Sequence, residues 1–246
     1  MTTTVQQAVI LAAGQGSRLR SEVADRPKGF LTLGAKPIVE ESVERLVAVG
    51  IRDVVIVTGY AAGHYEALAA RHGGVVRTVH NATFAESGSM YSLWCARRLV
   101  TGDFLLLESD LIYEQRALTT LLEPGASDTI LVSGPTGAGD EVYVEAPAGQ
   151  LLRMSKRRAD LGPEVLGEFV GISRLSAPLF AHMQALAESA FARSLRYDYE
   201  TDCLVAAAAA WPVRCRLIPD LLWGEIDDPA HLARARERVY PAIAAR

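Results

Sequence analysis

Val54 to Thr58 is a β-branched run too apolar for a sheet that faces water on one side. It reads as a central strand of a parallel sheet, covered on both faces. Ala8 to Ala13 is a second apolar run of strand length, and Phe104 to Leu107 a third buried strand. Helical patterns lie between them. Val39, Val43, Leu46 and Val47 recur at helical spacing, with Pro37 suited to the first turn and Gly50 to the stop. Ala62 to His72 is a second helix, closed by Gly73-Gly74; Val75 to Val79 is a strand and Met90 to Leu99 a helix. This βαβα rhythm predicts an α/β fold built on a doubly wound, mostly parallel sheet.

The second half changes character. Thr129 to Ser133, Val142 to Ala146, Leu151 to Lys156 and Gly167 to Ser173 are expected strands, separated by Gly and Pro turns. They suggest a small inserted β-rich lobe. Helices are expected at Ala177 to Ser189 and at the alanine-rich Thr201 to Ala210, and strands at Val213 to Ile218 and Leu222 to Ile226. Asp228-Pro229 opens a last helix. At 246 residues the chain suits one domain, which divides into halves 1–125 and 126–246.

A net charge of −4 gives no basic excess for nucleic acid, and no apolar run is long enough to span a membrane. Met1 to Gln7 carries no basic lead of a signal peptide. The three cysteines, Cys95, Cys203 and Cys215, lack zinc-ligand spacing and are expected to be free thiols, which fits a reducing cytoplasm.

The first strand runs into Gly14-Gln15-Gly16-Ser17-Arg18-Leu19, and Lys28 follows ten residues after Arg18. Small residues let backbone N–H groups approach an anion, and the two cations can hold a polyphosphate there. The chain lacks G-x-x-x-x-G-K-[ST], and Leu19 occupies the third small position of the dinucleotide fingerprint. A bare strand-to-helix turn would explain the glycines alone; Arg18 and Lys28 favour a nucleoside triphosphate.

Ligands of open parallel sheets bind at the carboxyl ends of strands. Asp110 lies just beyond such an end, as a loop cap or a metal ligand. Asp228 before Pro229 is a natural helix cap, which leaves Asp227 free for another role, and alternation puts Glu225 on the same face as Asp227. Asp110 and Asp227 beside a polyphosphate suit Mg²⁺, which takes one or two carboxylates along with phosphate oxygens and waters.

Leu11-Ala12-Ala13-Gly14-x-Gly16-Ser17-Arg18-Leu19 with Pro27-Lys28 resembles the signature of sugar-phosphate-type nucleotidyltransferases. The likeness extends over Val57-Thr58-Gly59-Tyr60, Asp110, Gly167-Glu168-Phe169-x-Gly171 and Glu225-Ile226-Asp227-Asp228. The segment from Asn81 through Phe84, Glu86-Ser87-Gly88-Ser89 and Tyr91-Ser92-Leu93 resembles the phosphocholine and phosphonate cytidylyltransferase branch. Gly88-Ser89 departs from that branch, where asparagines are frequent.

The resemblance implies a Rossmann-like nucleotidyltransferase fold and a Mg²⁺-dependent transfer of CMP from CTP to a small phosphonate or phosphorylated alcohol, releasing pyrophosphate. Candidate acceptors are 2-aminoethylphosphonate, a hydroxy or carboxy relative, and phosphocholine. Leu11, Ala12, Ala13, Gly14, Gly16, Ser17, Asn81, Ser87 and Ser92 would bind the nucleotide. Arg18 and Lys28 would hold phosphates, and Asp110 with Asp227 the Mg²⁺. Lys156 could meet the acceptor's phosphonate, with Arg157 and Arg158 in a solvated turn. Asp198-Tyr199-Glu200 could take a cationic head through charge and cation–π contact, or be an acidic first helical turn. Glu168 and Glu225 complete the acceptor candidates, and Trp223 is either pocket wall or core. A sugar-1-phosphate nucleotidylyltransferase and a non-catalytic nucleotide sensor are the alternatives, and a homodimer is compatible with either.

Overall fold

The computed structural model describes residues 5–19 and 26–246. Met1 to Thr4, part of the stretch read for a leader, lie outside the described residues. The chain runs β1 (Gln7–Ala12), α1 (Ile38–Ala48), β2 (Asp53–Thr58), α2 (Ala62–Arg71), β3 (Val76–His80), α3 (Ser89–Cys95), β4 (Phe104–Glu108), β5 (Leu111–Tyr113) and α4 (Arg116–Leu121). It continues through β6 (Thr129–Ser133), β7 (Tyr143–Glu145), β8 (Arg153–Ser155), β9 (Val165–Leu175) and α5 (Ala177–Phe191). A π-helical turn (Tyr199–Leu204) leads into α6 (Val205–Ala208). Then follow β10 (Arg214–Ile218), β11 (Trp223–Glu225), α7 (Pro229–Arg234) and α8 (Tyr240–Ala244).

The main sheet is ordered β10-β6-β9-β4-β1-β2-β3. β4, β1, β2 and β3 are parallel, as are β10 and β6; β9 runs antiparallel between the two groups. Alternate residues of β1 sort onto opposite faces. Ala8, Ile10 and Ala12 join Val43, Leu46 and Leu68 from α1 and α2, whereas Val9 and Leu11 join Met90, Leu93 and Phe180 from α3 and α5. Helices therefore cover both faces, which is why these strands carry no polar side.

The β-rich lobe is joined to the sheet through one long strand. β9 pairs with β4 and β6 along its later residues and with β7 at its start, and β7 pairs onward with β8. A separate two-stranded ribbon is formed by β5 and β11, with Glu225 opposite Leu111 and Trp223 opposite Tyr113. Leu19, Leu31, Ile38 and Ile112 pack with Ile226, Leu232 and Val239, so the C-terminal helices close the core below the glycine loop. No helix among the described residues is long and apolar enough to cross a membrane, and Cys95, Cys203 and Cys215 are free.

Asp128 locks the second half to the sheet. Its carboxylate accepts from Ser176 N (2.7 Å), Ser176 Oγ (2.9 Å) and Trp211 Nε1 (2.9 Å), joining the start of β6 to the cap of α5 and the approach to β10. Its φ of 45° suits Asp better than Ala. Asp128→Ala strands three donors and is expected to cost about 3 kcal/mol in urea unfolding, with Asp128→Asn costing less. A loss below about 1 kcal/mol in Asp128→Ala would show that these three bonds do little to hold the second half in place.

Candidate active site

Asp110 and Asp227 are far apart in the chain, and the β5–β11 ribbon brings them together. Glu225 pairs with Leu111, and Ile226 N donates to Asp110 O at 3.1 Å. Ser109 N donates to Leu11 O at 3.0 Å, which fixes the same turn against the end of β1. The first glycine loop, the end of β4 and the exit of β11 thus meet at one place.

Lys28 stands between the two acids. Its ammonium donates to Asp110 Oδ2 at 2.7 Å and to Asp227 Oδ1, and Arg18 pairs with Asp227 Oδ2 at 2.8 Å. Gly16 makes room for this arrangement. It has φ +58°, and a Cβ there would lie 2.8 Å from Lys28 Cγ. Burial would lower the Lys28 pKa, but Asp110 and Asp227 more than offset it and hold the ammonium charged.

A cavity of about 330 Å³ opens beside this cluster, of the size small-molecule sites have. Leu11, Ala13, Gly14, Lys28 and Asp110 line it, as do Ser87 and Ser92. A smaller cavity of about 60 Å³ adjoins it, lined by Thr136, Asp140, Arg234 and Trp223 among others. Glu108, Lys156, Glu200 and Glu225 line both. Three carboxylates against one lysine make this seam strongly acidic. Burial, then Glu200 and Asp110, push Glu108 well up; burial, then Glu108, do the same to Glu225. Glu200 is pushed up to about 7 by burial and then by Asp198. A bound cation would relieve that crowding.

Several expected contacts are indirect. Asn81 is fully buried, and its amide donates to Ser87 Oγ (2.9 Å) and Ser92 Oγ (3.0 Å) while its oxygen accepts from Thr83 N. It orients the two serines, which are the residues that reach the cavity. Tyr199 is likewise enclosed, so its ring cannot stack on an acceptor; its hydroxyl donates to Glu108 Oε1 at 3.0 Å. Ala12 is buried in β1, and Glu168 is a buried acceptor for Thr136 N at 2.9 Å. Ser17 is exposed at the loop. Lys156 faces both cavities, whereas Arg157 pairs with Asp160 and Arg158 with Gly162 O in an exposed turn.

Asp198, read with Tyr199 and Glu200 as a candidate for a cationic head, lines the larger cavity; Glu108, Ser89, Phe84 and Tyr65 also line it and were missed as candidates. Glu108 looked like the end of an apolar strand, although a carboxylate closing Leu105-Leu106-Leu107 was a usable signal. His231 was missed as well. It is buried behind Asp227, its N–H capped by Asp228 (2.8 Å) and its Nε2 3.1 Å from Ala138 O.

The donors here are carboxylate oxygens, the set that suits a hard cation such as Mg²⁺. Glu108, Asp110 and Glu225 each place an oxygen within 4.8 Å of the others, while Asp227 is engaged by Lys28 and Arg18.

The mostly parallel sheet thus carries a cation-lined glycine loop, with one acid beyond β4 and another beyond β11 meeting beside it. Residues 8–208 match the MobA-like NTP transferase domain, and the chain belongs to that family. It is 29% identical over 252 residues to the CMP-5'-(3-aminopropyl)phosphonate synthase of Streptomyces rubellomurinus, covering 96% of this chain and 39% of that protein. The chain thus spans well under half the length of that relative. It is 27% identical over 155 residues to the choline-phosphate cytidylyltransferase of Streptococcus pneumoniae (59% of this chain, 67% of the relative). The fold is shared with the inositol-1-phosphate CTP transferase of T. maritima, at TM-score 0.83 and 21% identity over 99% of this chain and 97% of that one.

Burial would raise the Asp227 pKa, but Lys28 and then Arg18 hold it down to about 2. Since an unfolded Asp titrates near 3.9, this stabilisation is complete above about pH 4 and vanishes as pH falls through about 2. Asp227→Asn is therefore expected to flatten the acid limb of stability between about pH 4 and pH 2 in urea melts without added metal. A slope unchanged by the substitution would mean that Lys28 and Arg18 do not hold this carboxylate in solution.

Proposed function

We propose that the protein is a Mg²⁺-dependent cytidylyltransferase that joins CMP from CTP to a small phosphonate or phosphocholine and releases pyrophosphate. The observation that carries this reading is the convergence of Lys28, Arg18, Asp110 and Asp227 beside a cavity that Lys28, Asp110 and the acidic seam line together. The cytidylyl specificity and the acceptor class are supported by what the relatives are called, with 2-aminoethylphosphonate cytidylyltransferase of Lancefieldella rimae among them (27% identical over 176 residues).

The roles follow from position. Leu11, Ala13 and Gly14 bound the nucleotide side of the cavity with Ser87 and Ser92, which Asn81 orients. Arg18 and Lys28 exchange their carboxylate partners for the β- and γ-phosphates and stabilise the charge that builds on pyrophosphate. Asp110 and Asp227, freed by that exchange, would hold Mg²⁺, with Glu108 and Glu225 near enough to Asp110 to share it. The ion would supply charge neutralisation at the α-phosphate.

The acceptor's phosphonate oxygen is already an anion, so no side chain need take a proton. It bonds to the α-phosphorus as the bond to the pyrophosphate oxygen breaks, and the electron pair leaves with pyrophosphate. Lys156 can hold the acceptor's phosphonate, and Glu200 with Glu225 favours an ammonium head over a carboxylate one. Positioning and electrostatics then provide most of the rate.

Pyrophosphate release with each NTP against phosphonates, phosphocholine and sugar 1-phosphates tests the reading. Turnover is expected with CTP and an ammonium-bearing phosphonate or phosphocholine, and a chelator should abolish it. Turnover with sugar phosphates alone would replace this reading with a sugar nucleotidyltransferase. No turnover with any pair would leave a nucleotide-binding protein without the reaction.

Lys28→Ala and Asp110→Ala should each lower kcat by roughly a hundredfold or more, the usual effect of losing a preorganised electrostatic group. Near-normal rates in either variant would mean that other residues carry the charge.

A further inference from the structure

Gly88 and Ser89, at the start of α3, both line the larger cavity. Gly88 N donates to Leu195 O at 2.8 Å and Met90 N to Tyr197 O at 3.1 Å, so the loop entering α3 is stitched to the segment before the π-helical turn. The fit is tight. A Cβ on Gly88 would meet Tyr197 O at 2.6 Å and Tyr197 N at 2.7 Å, and backbone cannot yield as a side-chain tip does. Asparagine at position 88 would not fit this packing.

Ser89 lines the larger cavity beside the seam. Its Oγ accepts from Tyr199 N at 2.8 Å and lies 3.2 Å from both Asp198 Oδ1 and Glu200 Oε2. One hydroxyl has one proton, so it can donate to only one of these carboxylates at a time while holding the Tyr199 amide. Tyr199, fixed in this way, reaches on with its own hydroxyl to Glu108 Oε1. Two of the three carboxylates shared by the cavities are thus tied, directly or through Tyr199, to one serine.

We propose that Ser89 is a positioning residue for the acceptor: it sets the 198–200 segment so that Glu200 and, through Tyr199, Glu108 present their carboxylates at the seam between the cavities. This rests on the reading of that seam as the site of an ammonium-bearing acceptor. Lys28, Arg18, Asp110 and Asp227 bond to one another, whereas the side chain of Ser89 bonds to Asp198, Tyr199 and Glu200. Its loss should therefore be felt by one substrate and not by the other.

Steady-state kinetics with CTP and 2-aminoethylphosphonate, repeated with phosphocholine, tests this. Ser89→Ala is expected to raise the KM for the acceptor roughly tenfold, with kcat and the KM for CTP within about twofold, because a bond to a charged group is lost away from the phosphates. Ser89→Thr keeps the hydroxyl and should restore most of the acceptor KM. Tyr199→Phe, which deletes the bond to Glu108, should likewise raise the acceptor KM by more than the KM for CTP. It carries the test if Ser89→Ala loses its cooperative melt.

Parallel rises in both KM values, or Ser89→Thr behaving like Ser89→Ala, would make Ser89 a structural residue and overturn the assignment. So would an acceptor KM unchanged in Ser89→Ala, while leaving the cytidylyltransferase reading intact. Failure of the unsubstituted protein to turn over either acceptor would instead overturn that reading, and this assignment with it.

Discussion

The site depends on one ammonium held between two carboxylates. Asp110 and Asp227 would repel each other if left alone in a half-buried place, and each would be expensive to desolvate. Lys28 removes both problems by bonding to the two at once, and Arg18 adds a second cation to Asp227. On the proposed reading the same four groups would serve a metal–triphosphate complex, two cations for phosphate oxygens and two acids for an ion. In the ligand-free protein they satisfy one another, so the site can be preorganised without holding an unpaired charge. A triphosphate with its cation offers each group an equivalent partner.

That arrangement requires residues from three distant parts of the chain to arrive within hydrogen-bond reach. The parallel strands β1 and β4 bring the glycine loop and Asp110 to the same edge, and the short β5–β11 ribbon brings Asp227 to Asp110. The third apolar cluster then anchors the ribbon from below, through Ile112 and Ile226. Buried apolar contacts are thus what hold the polar cluster in register. The acidic seam is built differently: its carboxylates come from β4, β11 and the π-helical turn, and are steadied by hydroxyls from Ser89 and Tyr199.

The central sheet could be read from the chain because its strands are short, continuous apolar runs, a pattern with few alternatives beside helices of clear period. Asp110 and Asp227 could be singled out because each lies just beyond a strand, and Lys28 because it is a cation soon after the glycine loop. What escaped was non-local or hidden by burial. β5 and α4 went unnoticed, since three residues of strand have no period to detect and the partner β11 lies far along the chain. The alanine run suggested a longer regular helix than α6, whose first turns are π-helical instead. Asn81 and Tyr199 have the side chains of ligand contacts, yet both are buried and spend their polar groups on other residues. Residue type gives the chemistry on offer; only packing decides whether it faces a ligand or a neighbour.

The pairing of Gly88 with Ser89 shows how such packing links substrates. Removing the side chain at one position lets the loop of α3 press onto the backbone of Tyr197, and that contact places the next hydroxyl among Asp198, Tyr199 and Glu200. A larger residue at position 88 would hold the two segments apart and leave Ser89 facing open space. The glycine therefore matters for what it allows its neighbour to reach. The loop entering α3 and the segment from Leu195 to Glu200 are one hydrogen-bonded unit, so on the proposed reading acceptor preference could change through that loop while the bonds among Lys28, Arg18, Asp110 and Asp227 stay in place.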